Sequence, residues 1–286
     1  MSDRTVLRSF VLFFREQLGL RPSVYRGFSR LYHFLIHLYE RFHILLHYGN
    51  VEFVFRSRRE ALKDLDDGFK SQYGQDAYLV KRGLIPDEGG SFVDVGCNDP
   101  VYLSNTWHLE KRRGYQGLAI DPLDLAPRWS LERPETKFVQ TLISAEKKDI
   151  DFYEVQGEQP WHSMMSGVVS SVDLSGRAGN VAVRQMTATP LAEIFRKEGV
   201  AQIDVMFVDV EGHELSVLES VAWHEVRPQV LVIENFGRMR KQDEIRRFML
   251  AKGYKFLARI WISDDIFVVD HKYGQASDLG LVPAPQ

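Results

Sequence analysis

Three apolar segments of this chain each end in an aspartate, and these acids are well placed for chemistry. The segments cover 92–96, 118–122 and 205–209, and their acids are Asp94, Asp121 and Asp209. Apolar runs of this length are typical of strands buried in a parallel sheet. Because the carboxyl ends of such strands meet at one edge of a sheet, we expect the three acids to surround one ligand.

The spacing of the first two acids favours a nucleoside ligand. Asp121 ends the second strand, the position from which an acid typically accepts hydrogen bonds from ribose hydroxyls. Gly96 leaves room for the backbone to approach a ligand, and Asp94 can hold a charged or hydroxyl-rich group. A pyrophosphate needs further glycines close behind Gly96, but the next glycine is Gly114. The pattern therefore favours adenosine without a pyrophosphate and disfavours a dinucleotide.

The segment 209–214 follows the third of these strands and combines acids with an imidazole. It contains Asp209, Glu211 and His213 around Gly212. A histidine has a suitable pKa for a general base, and either acid could orient it or act instead. The two acids would raise the pKa of His213 and burial would lower it. The alternative is that His213 only caps the helix that begins there.

Strand-like and helix-like segments alternate from residue 72 onward. Strands are predicted at 91–96, 116–120, 137–142, 150–155, 204–209, 229–234, 255–260 and 265–269. Helices between them predict an α/β fold with a doubly wound, mostly parallel sheet and an antiparallel edge hairpin formed by the last two strands. The stretch 156–186 is rich in glycine and serine, which favours a lid or a substrate loop.

Four motifs in this order resemble the FkbM family of S-adenosylmethionine-dependent methyltransferases. They are 71–76 (Ser-Gln-Tyr-Gly-Gln-Asp), 92–100 with Ser104-Asn105-Thr106, Asp121-Pro122, and 209–214. The resemblance covers about 70–270. It implies a Rossmann-like methyltransferase sheet of seven strands, and S-adenosylmethionine as the cofactor. It also implies that Asp94 and Gly96 border the methionine part and that Asp121 binds the ribose, and Asn98 is a further cofactor-binding candidate.

Further site residues follow from their positions around these motifs. Gln72 and Asp76 could close over the methionine end, Ser144 could approach the adenine, and Asp209 completes the cofactor set. For the acceptor we expect contacts from Trp161, His162, Glu234 and Asn235. The expected reaction is O-methylation of a hydroxyl on a sugar, a glycan or a related polyhydroxylated metabolite, with His213, Asp209 and Glu211 as the catalytic candidates.

Two other classes of protein stay open at this point. A nicotinamide-dependent oxidoreductase would also have Asp94 and Asp121, although the missing glycines argue against it. A catalytically idle binding or scaffold protein is the other alternative. We predict no metal site, although Asp209, Glu211 and Glu234 are oxygen donors and a metal-dependent transferase stays open.

Residues 1–66 form a predicted N-terminal helical extension, and 67–286 the methyltransferase domain. Apolar residues at helical spacing over 23–48 predict a helix whose apolar face meets the main domain, a second copy or a membrane surface. The net charge of −3 gives no reason to expect a nucleic-acid partner. A lone cysteine and an N-terminus unlike a signal peptide favour a cytoplasmic protein, with peripheral contact to the inner membrane face or homo-oligomer formation left open.

Overall fold

The computed structural model describes residues 37–157, 160–171, 180–237 and 239–270. The helices are α1 (37–48), α2 (Arg58–Asp66), α3 (Gln75–Lys81), α4 (Trp107–Arg113), α5 (Ala126–Glu132), α6 (Pro160–Ser163), α7 (Leu191–Glu198), α8 (Glu214–Glu219) and α9 (Met239–Ala251). The strands are β1 (Glu52–Val54), β2 (Ser91–Val95), β3 (Gln116–Asp121), β4 (Lys137–Gln140), β5 (Leu142–Ile143), β6 (Asp149–Gln156), β7 (Gly167–Val168), β8 (Asn180–Thr189), β9 (Val205–Val208), β10 (Val230–Glu234), β11 (Tyr254–Ile260) and β12 (Asp264–Val269).

The central sheet has the order β1-β11-β12-β10-β9-β2-β3-β4. β12 runs antiparallel to both of its neighbours, and the other pairs are parallel. From β2 the chain builds outward to β3 and β4 on one side, and β9 and β10 lie on the other. The order therefore reverses between β2 and β9, and a crevice opens there above the carboxyl ends of the strands.

The sheet has eight strands where the sequence predicts seven. The additional strand is β1, which lies inside the predicted N-terminal extension and pairs with β11, Glu52 opposite Ala258. The β11–β12 hairpin is antiparallel as predicted, but β1 covers β11, so the hairpin does not form the edge of the sheet. The predicted domain boundary at residue 66 stays a prediction.

A second sheet, of order β5-β8-β6-β7, stands beside the cleft. β8 pairs antiparallel with β6 along its length, from Asp149 opposite Thr187 to Gln156 opposite Asn180. The predicted long loop at 156–186 therefore contains α6, β7 and the first part of β8. Residues 172–179 lie outside the described part of the chain.

The helix α1 packs on the main domain through Glu40 and Ile44, both of which are buried. The Glu40 carboxylate contacts Arg259 Nε at 2.6 Å, and the Tyr48 hydroxyl donates to Asp243 at 2.8 Å. The opposite face exposes five large apolar side chains, those of Leu38, Tyr39, Phe42, Leu45 and Leu46. Contact of this face with a membrane or a second copy stays a prediction. None of the described helices is both long and apolar enough to cross a bilayer.

Candidate active site

The turn after β2 is shaped by a close approach between two strand ends. β2 lies between β3 and β9, and its residues from Phe92 to Val95 are buried. Gly96 has φ +85, and a Cβ there would lie 1.7 Å from the carbonyl oxygen of Asp209. Only glycine fits, but the backbone that approaches it is that of β9 rather than that of a ligand.

Asp121 ties the turn after β3 to the turn after β2. Its Oδ1 accepts a hydrogen bond from the Leu123 N–H and its Oδ2 accepts one from the Asn98 N–H, each at 2.9 Å. Burial raises the pKa of Asp121 to about 6 and outweighs these two hydrogen bonds, which lower it. Each oxygen keeps a lone pair that can accept a ligand hydroxyl.

Asp94 lies beneath the same turn, with its carboxylate inside the protein. The Thr106 hydroxyl donates to Asp94 Oδ2 at 3.0 Å. Burial raises the pKa of Asp94 to about 6, although this bond and the charge of Arg133 both lower it. Arg133 is itself fully buried and pairs with Glu110 at 2.6 Å, so most of its charge is already balanced.

A group of four carboxyl groups, which we call the acidic cluster, lies where β9 and β10 end. Its members are Asp209, Glu211, Glu234 and Asp264. Burial and then the charge of Glu211 raise the pKa of Asp209 well above its usual range. Burial and then the charge of Asp209 do the same for Glu234, and burial raises the pKa of Asp264 to about 7. Full ionisation of the cluster would therefore place more negative charge here than its surroundings balance.

His213 lies at the N-cap position of α8, and its side chain lines the cleft. Its Nε2 is 3.3 Å from Ser144 Oγ. Burial, followed by the charges of Lys148 and Lys241, lowers the pKa of His213 below its ordinary value. The imidazole is therefore neutral at pH 7 and can accept a proton. The side chain accepts no hydrogen bond from the first backbone N–H groups of α8, which argues against a role only as a cap.

These residues line one cleft with about 1080 Å³ of space between protein atoms, open mouth included. Its ionisable lining residues include five carboxylates and no lysine or arginine within the described part of the chain: Asp94, Asp121, Asp209, Glu211, Glu234. Beside Asp121 the wall is apolar, with Ile120, Leu123, Leu142, Ile143, Phe152 and Val168. The cleft can thus take a flat apolar group at one end and positive charge at the other.

Most of the predicted site residues meet in this cleft. Besides the acids and His213, the lining includes Gln72, Gly96 and Asn98. Asn98 has φ +41, and its side-chain oxygen accepts a hydrogen bond from the Ser163 hydroxyl at 3.0 Å. The turn after β2 is therefore connected to the last residue of α6.

Four predicted residues are placed outside the cleft lining, and the structure does not describe the side chain of a fifth. Asp76 does not line the cleft, because its buried carboxylate accepts bonds from the Lys70 and Ala77 N–H groups and the Ser71 hydroxyl. Asn235 is also turned away and donates to Asp265 Oδ2 at 2.6 Å. Ser144 contacts His213 rather than the cleft, and His162 packs beneath Gly157. The side chain of Trp161 lies outside the described part of the chain.

Two residues of the site were not predicted. Gln75 lines the cleft and donates to Asp264 Oδ2 at 3.1 Å. The sequence predicts its neighbour Asp76 instead, and only the direction of the side chains distinguishes the two residues. Asp264 begins β12 opposite Glu234. A signal was present, since Asp264 follows the predicted hairpin turn at the same edge of the sheet.

The carboxylates of the cleft are not arranged as ligands of one ion. No three histidine, cysteine, aspartate or glutamate side chains in the described ranges are grouped so that they could hold a metal. On α1, the His43 and His47 rings lie 4.4 Å apart between centroids, but His43 is engaged by Asp243 at 2.9 Å.

Comparison with known proteins agrees with this geometry. The model of the methyltransferase FkbM domain matches residues 94–256, more than half of the chain. A search of curated proteins finds no match to this chain. The matched range runs from Asp94 into β11 and so contains the strand ends that carry Asp94, Asp121, Asp209 and Glu234. The chain belongs to the FkbM methyltransferase family.

Proposed function

We propose that this protein transfers a methyl group from S-adenosylmethionine to a hydroxyl of a sugar, a glycan or a related polyhydroxylated metabolite. The observation that carries the proposal is the charge of the cleft. Five carboxylates line it, and no lysine or arginine stands among the described lining residues. S-adenosylmethionine carries a sulfonium and an ammonium against one carboxylate. Burial and then mutual repulsion raise the pKa values of Asp209 and Glu234, and a cation in the cleft would relieve the repulsion.

The described residues fit the parts of this cofactor. Asp121 has free acceptor sites for the two ribose hydroxyls, next to an apolar wall that suits a purine. Asp94, Gly96 and Asn98 would border the methionine part, and Gln72 and Gln75 would cover it. Asp76 would serve this site indirectly, since its hydrogen bonds fix the loop before α3 that carries Gln72.

The carboxylates that line the cleft also argue against a nicotinamide cofactor. A pyrophosphate needs backbone N–H groups from a glycine-rich turn and tolerates no excess of nearby carboxylates. Here the turn after β2 has a single glycine, and its Asn98 N–H already donates to Asp121. An oxidoreductase would have to place two phosphates among these acids.

The chemistry supplied by the bound cofactor is an electrophilic methyl group. The protein must hold the acceptor hydroxyl in line with it and remove the hydroxyl proton as the bond forms. His213 is our candidate for the base, because its lowered pKa leaves the ring neutral at pH 7, with one of its two nitrogens able to accept a proton. Asp209 and Glu211 are the alternatives. Glu234 stands at the same edge and can accept hydrogen bonds from neighbouring hydroxyls of the acceptor.

Isothermal titration calorimetry with three ligands tests the class of protein. We expect S-adenosylmethionine and S-adenosylhomocysteine to bind and NADH not to bind. Asp121→Ala should weaken both complexes, since up to two hydrogen bonds to a carboxylate are lost at about 1.5–3 kcal/mol each. Tight binding of NADH alone would refute the proposal. Transfer of a labelled methyl group to a panel of glycans then separates an enzyme from an idle binding protein, which would bind the cofactor without turnover.

A further inference from the structure

Three aromatic side chains stand together at the edge of the sheet that carries the cleft. We call Phe55, Tyr73 and Trp261 the aromatic platform. Phe55 follows the carboxyl end of β1, and Trp261 follows the carboxyl end of β11. Those strands are parallel to each other, and their last residues, Val54 and Ile260, are paired in register. The platform therefore extends the ligand-binding edge of the sheet beyond β10 and β12.

The rings of the platform are arranged in a fixed way. Tyr73 and Trp261 are almost parallel, at 9°, with centroids 5.9 Å apart. Directly superposed rings would lie about 3.5–4.0 Å apart, so these two are displaced sideways and leave part of their faces uncovered. Phe55 meets Trp261 edge-on at 5.8 Å. The three rings form a stepped surface rather than a closed core.

Trp261 is partly exposed and has an unfavourable backbone conformation. It is 41% exposed, as is Phe55 at 43%. Its φ of +52 lies in the left-handed region, which is unfavourable for a bulky aromatic residue. The Trp261 N–H donates to the Val54 carbonyl at 2.9 Å, which fixes the turn against β1. Burial of the indole does not explain this conformation, because the ring stays half in solvent.

The platform is continuous with the acidic end of the cleft. The Gln72 side chain, which lines the cleft, donates to the Tyr73 hydroxyl at 3.2 Å. Burial, and then the charges of Asp264, Glu234 and Asp209, raise the pKa of Tyr73. Hydrogen-bond acceptors thus stand beside exposed ring faces. A sugar ring has the matching surfaces, an apolar face of C–H groups and a rim of hydroxyl donors.

We propose that the aromatic platform binds one face of a sugar ring of the acceptor, while Glu234 and Asp209 accept hydrogen bonds from its hydroxyls. This inference rests on the proposed function and names the acceptor side of the same site. The adenosine end of the cleft, at Asp121, lies on the other side of β9. The two ends of the crevice would then hold cofactor and acceptor. An anionic membrane surface would be repelled by the acidic cluster.

Nuclear magnetic resonance of the full chain gives a direct test. The protein has five tryptophans, and Trp261→Phe identifies the indole resonance of Trp261. The probes are methyl glycosides of glucose, galactose, mannose, rhamnose and fucose, added to protein saturated with S-adenosylhomocysteine. We expect at least one to shift this resonance. Mannitol, which has hydroxyls but no ring face, should not shift it. No response to any glycoside, an equal response to mannitol, or a response only to lipid vesicles would each overturn the proposal.

Variants separate the platform from the cofactor site. Trp261→Leu should raise the apparent KM for an active glycoside acceptor about tenfold, and Trp261→Phe should restore most of the loss. Affinity for S-adenosylmethionine should stay unchanged in both. Glycine adopts a positive φ without strain, so Trp261→Gly keeps the backbone conformation of the turn. Loss of acceptor binding in this variant would therefore reflect the missing ring rather than a folding defect. Leu131→Ala, at a 79% exposed site elsewhere, is the control. An unchanged KM in Trp261→Leu would refute the role of the platform in acceptor binding but not the proposed function. Failure of the wild-type protein to bind S-adenosylmethionine would refute the proposed function.

Discussion

The affinity of the proposed cofactor should depend on pH through two buried carboxyl groups. Burial raises the pKa values of Asp94 and Asp121 to about 6 each. If binding requires the carboxylate, the competent fraction for one group falls from about nine-tenths at pH 7 to about one-eleventh at pH 5. Each group therefore costs about tenfold in affinity over this range, and the two together about a hundredfold.

Asp121→Asn isolates one of the two contributions. The amide cannot ionise, so this variant should lose only about tenfold in affinity between pH 7 and pH 5. At pH 7 its affinity should already be lower by about tenfold to a hundredfold, because a hydrogen bond to a charged acceptor is lost. Isothermal titration calorimetry with S-adenosylmethionine at half-unit steps of pH measures both effects. Asp87→Asn, whose side chain is 92% exposed, is the matched control.

Unfolding at low pH cannot imitate this result. The folded pKa values of Asp94 and Asp121 are raised above the unfolded values near 4, so the folded state binds more protons as the pH falls. Their effect on stability is therefore favourable at low pH and is lost as the pH rises through about 6. A wild-type affinity that is flat between pH 5 and pH 7, or an equal slope in Asp121→Asn, would refute the reasoning.

Three further predictions concern the base, the acidic cluster and the N-terminal helix. His213→Ala should slow single-turnover methyl transfer about 10²–10⁴-fold with unchanged cofactor affinity, and rates within threefold of wild type would exclude it as the base. Glu234→Gln should raise the melting temperature of the ligand-free protein at pH 8 by about 2–4 °C, because it removes a buried group whose ionisation is unfavourable. The gain should be smaller at pH 5, where the carboxyl group is protonated. A melting temperature below that of the wild type at pH 8 would contradict this prediction. Glu40→Ala should cost about 3 kcal/mol in urea denaturation, since Arg259 loses a buried partner, whereas the 43% exposed Glu244→Ala should cost less than about 0.5 kcal/mol.

The strand ends of the site could be predicted because burial on both faces leaves a clear pattern. An apolar run that stops at an acid marks where a parallel strand leaves the core, and three such runs identified Asp94, Asp121 and Asp209. The edge to which they point follows from the rules for parallel sheets. No sequence signal of this kind marks β1, which is three residues long and exists because β11 offers an unpaired edge.

Side-chain direction could not be predicted from residue type and position. Gln75 and Asp76 are neighbours at the start of α3, and successive residues of a helix differ in direction by about 100°. The side chain of Gln75 therefore reaches the cleft, while that of Asp76 binds the preceding loop. The side-chain direction of Asn235 could not be predicted either. The residue directly follows the end of β10, as expected, but its amide donates to Asp265 in the core instead of lining the cleft.

The two adjacent aspartates of β12 show how the fold separates structure from site. Successive residues of a strand point to opposite faces. Asp265 meets Arg259 and Arg246, whose charges outweigh burial and lower its pKa. Asp264 lies on the cleft side, and burial raises its pKa to about 7 although hydrogen bonds from Gln75 and Ser263 lower it. The charge of Asp265 in the core is thus balanced by two buried arginines, whereas at Asp264 burial outweighs the charge of Arg259. A cation such as a sulfonium would supply to the cleft the balance that Arg259 and Arg246 supply to the core.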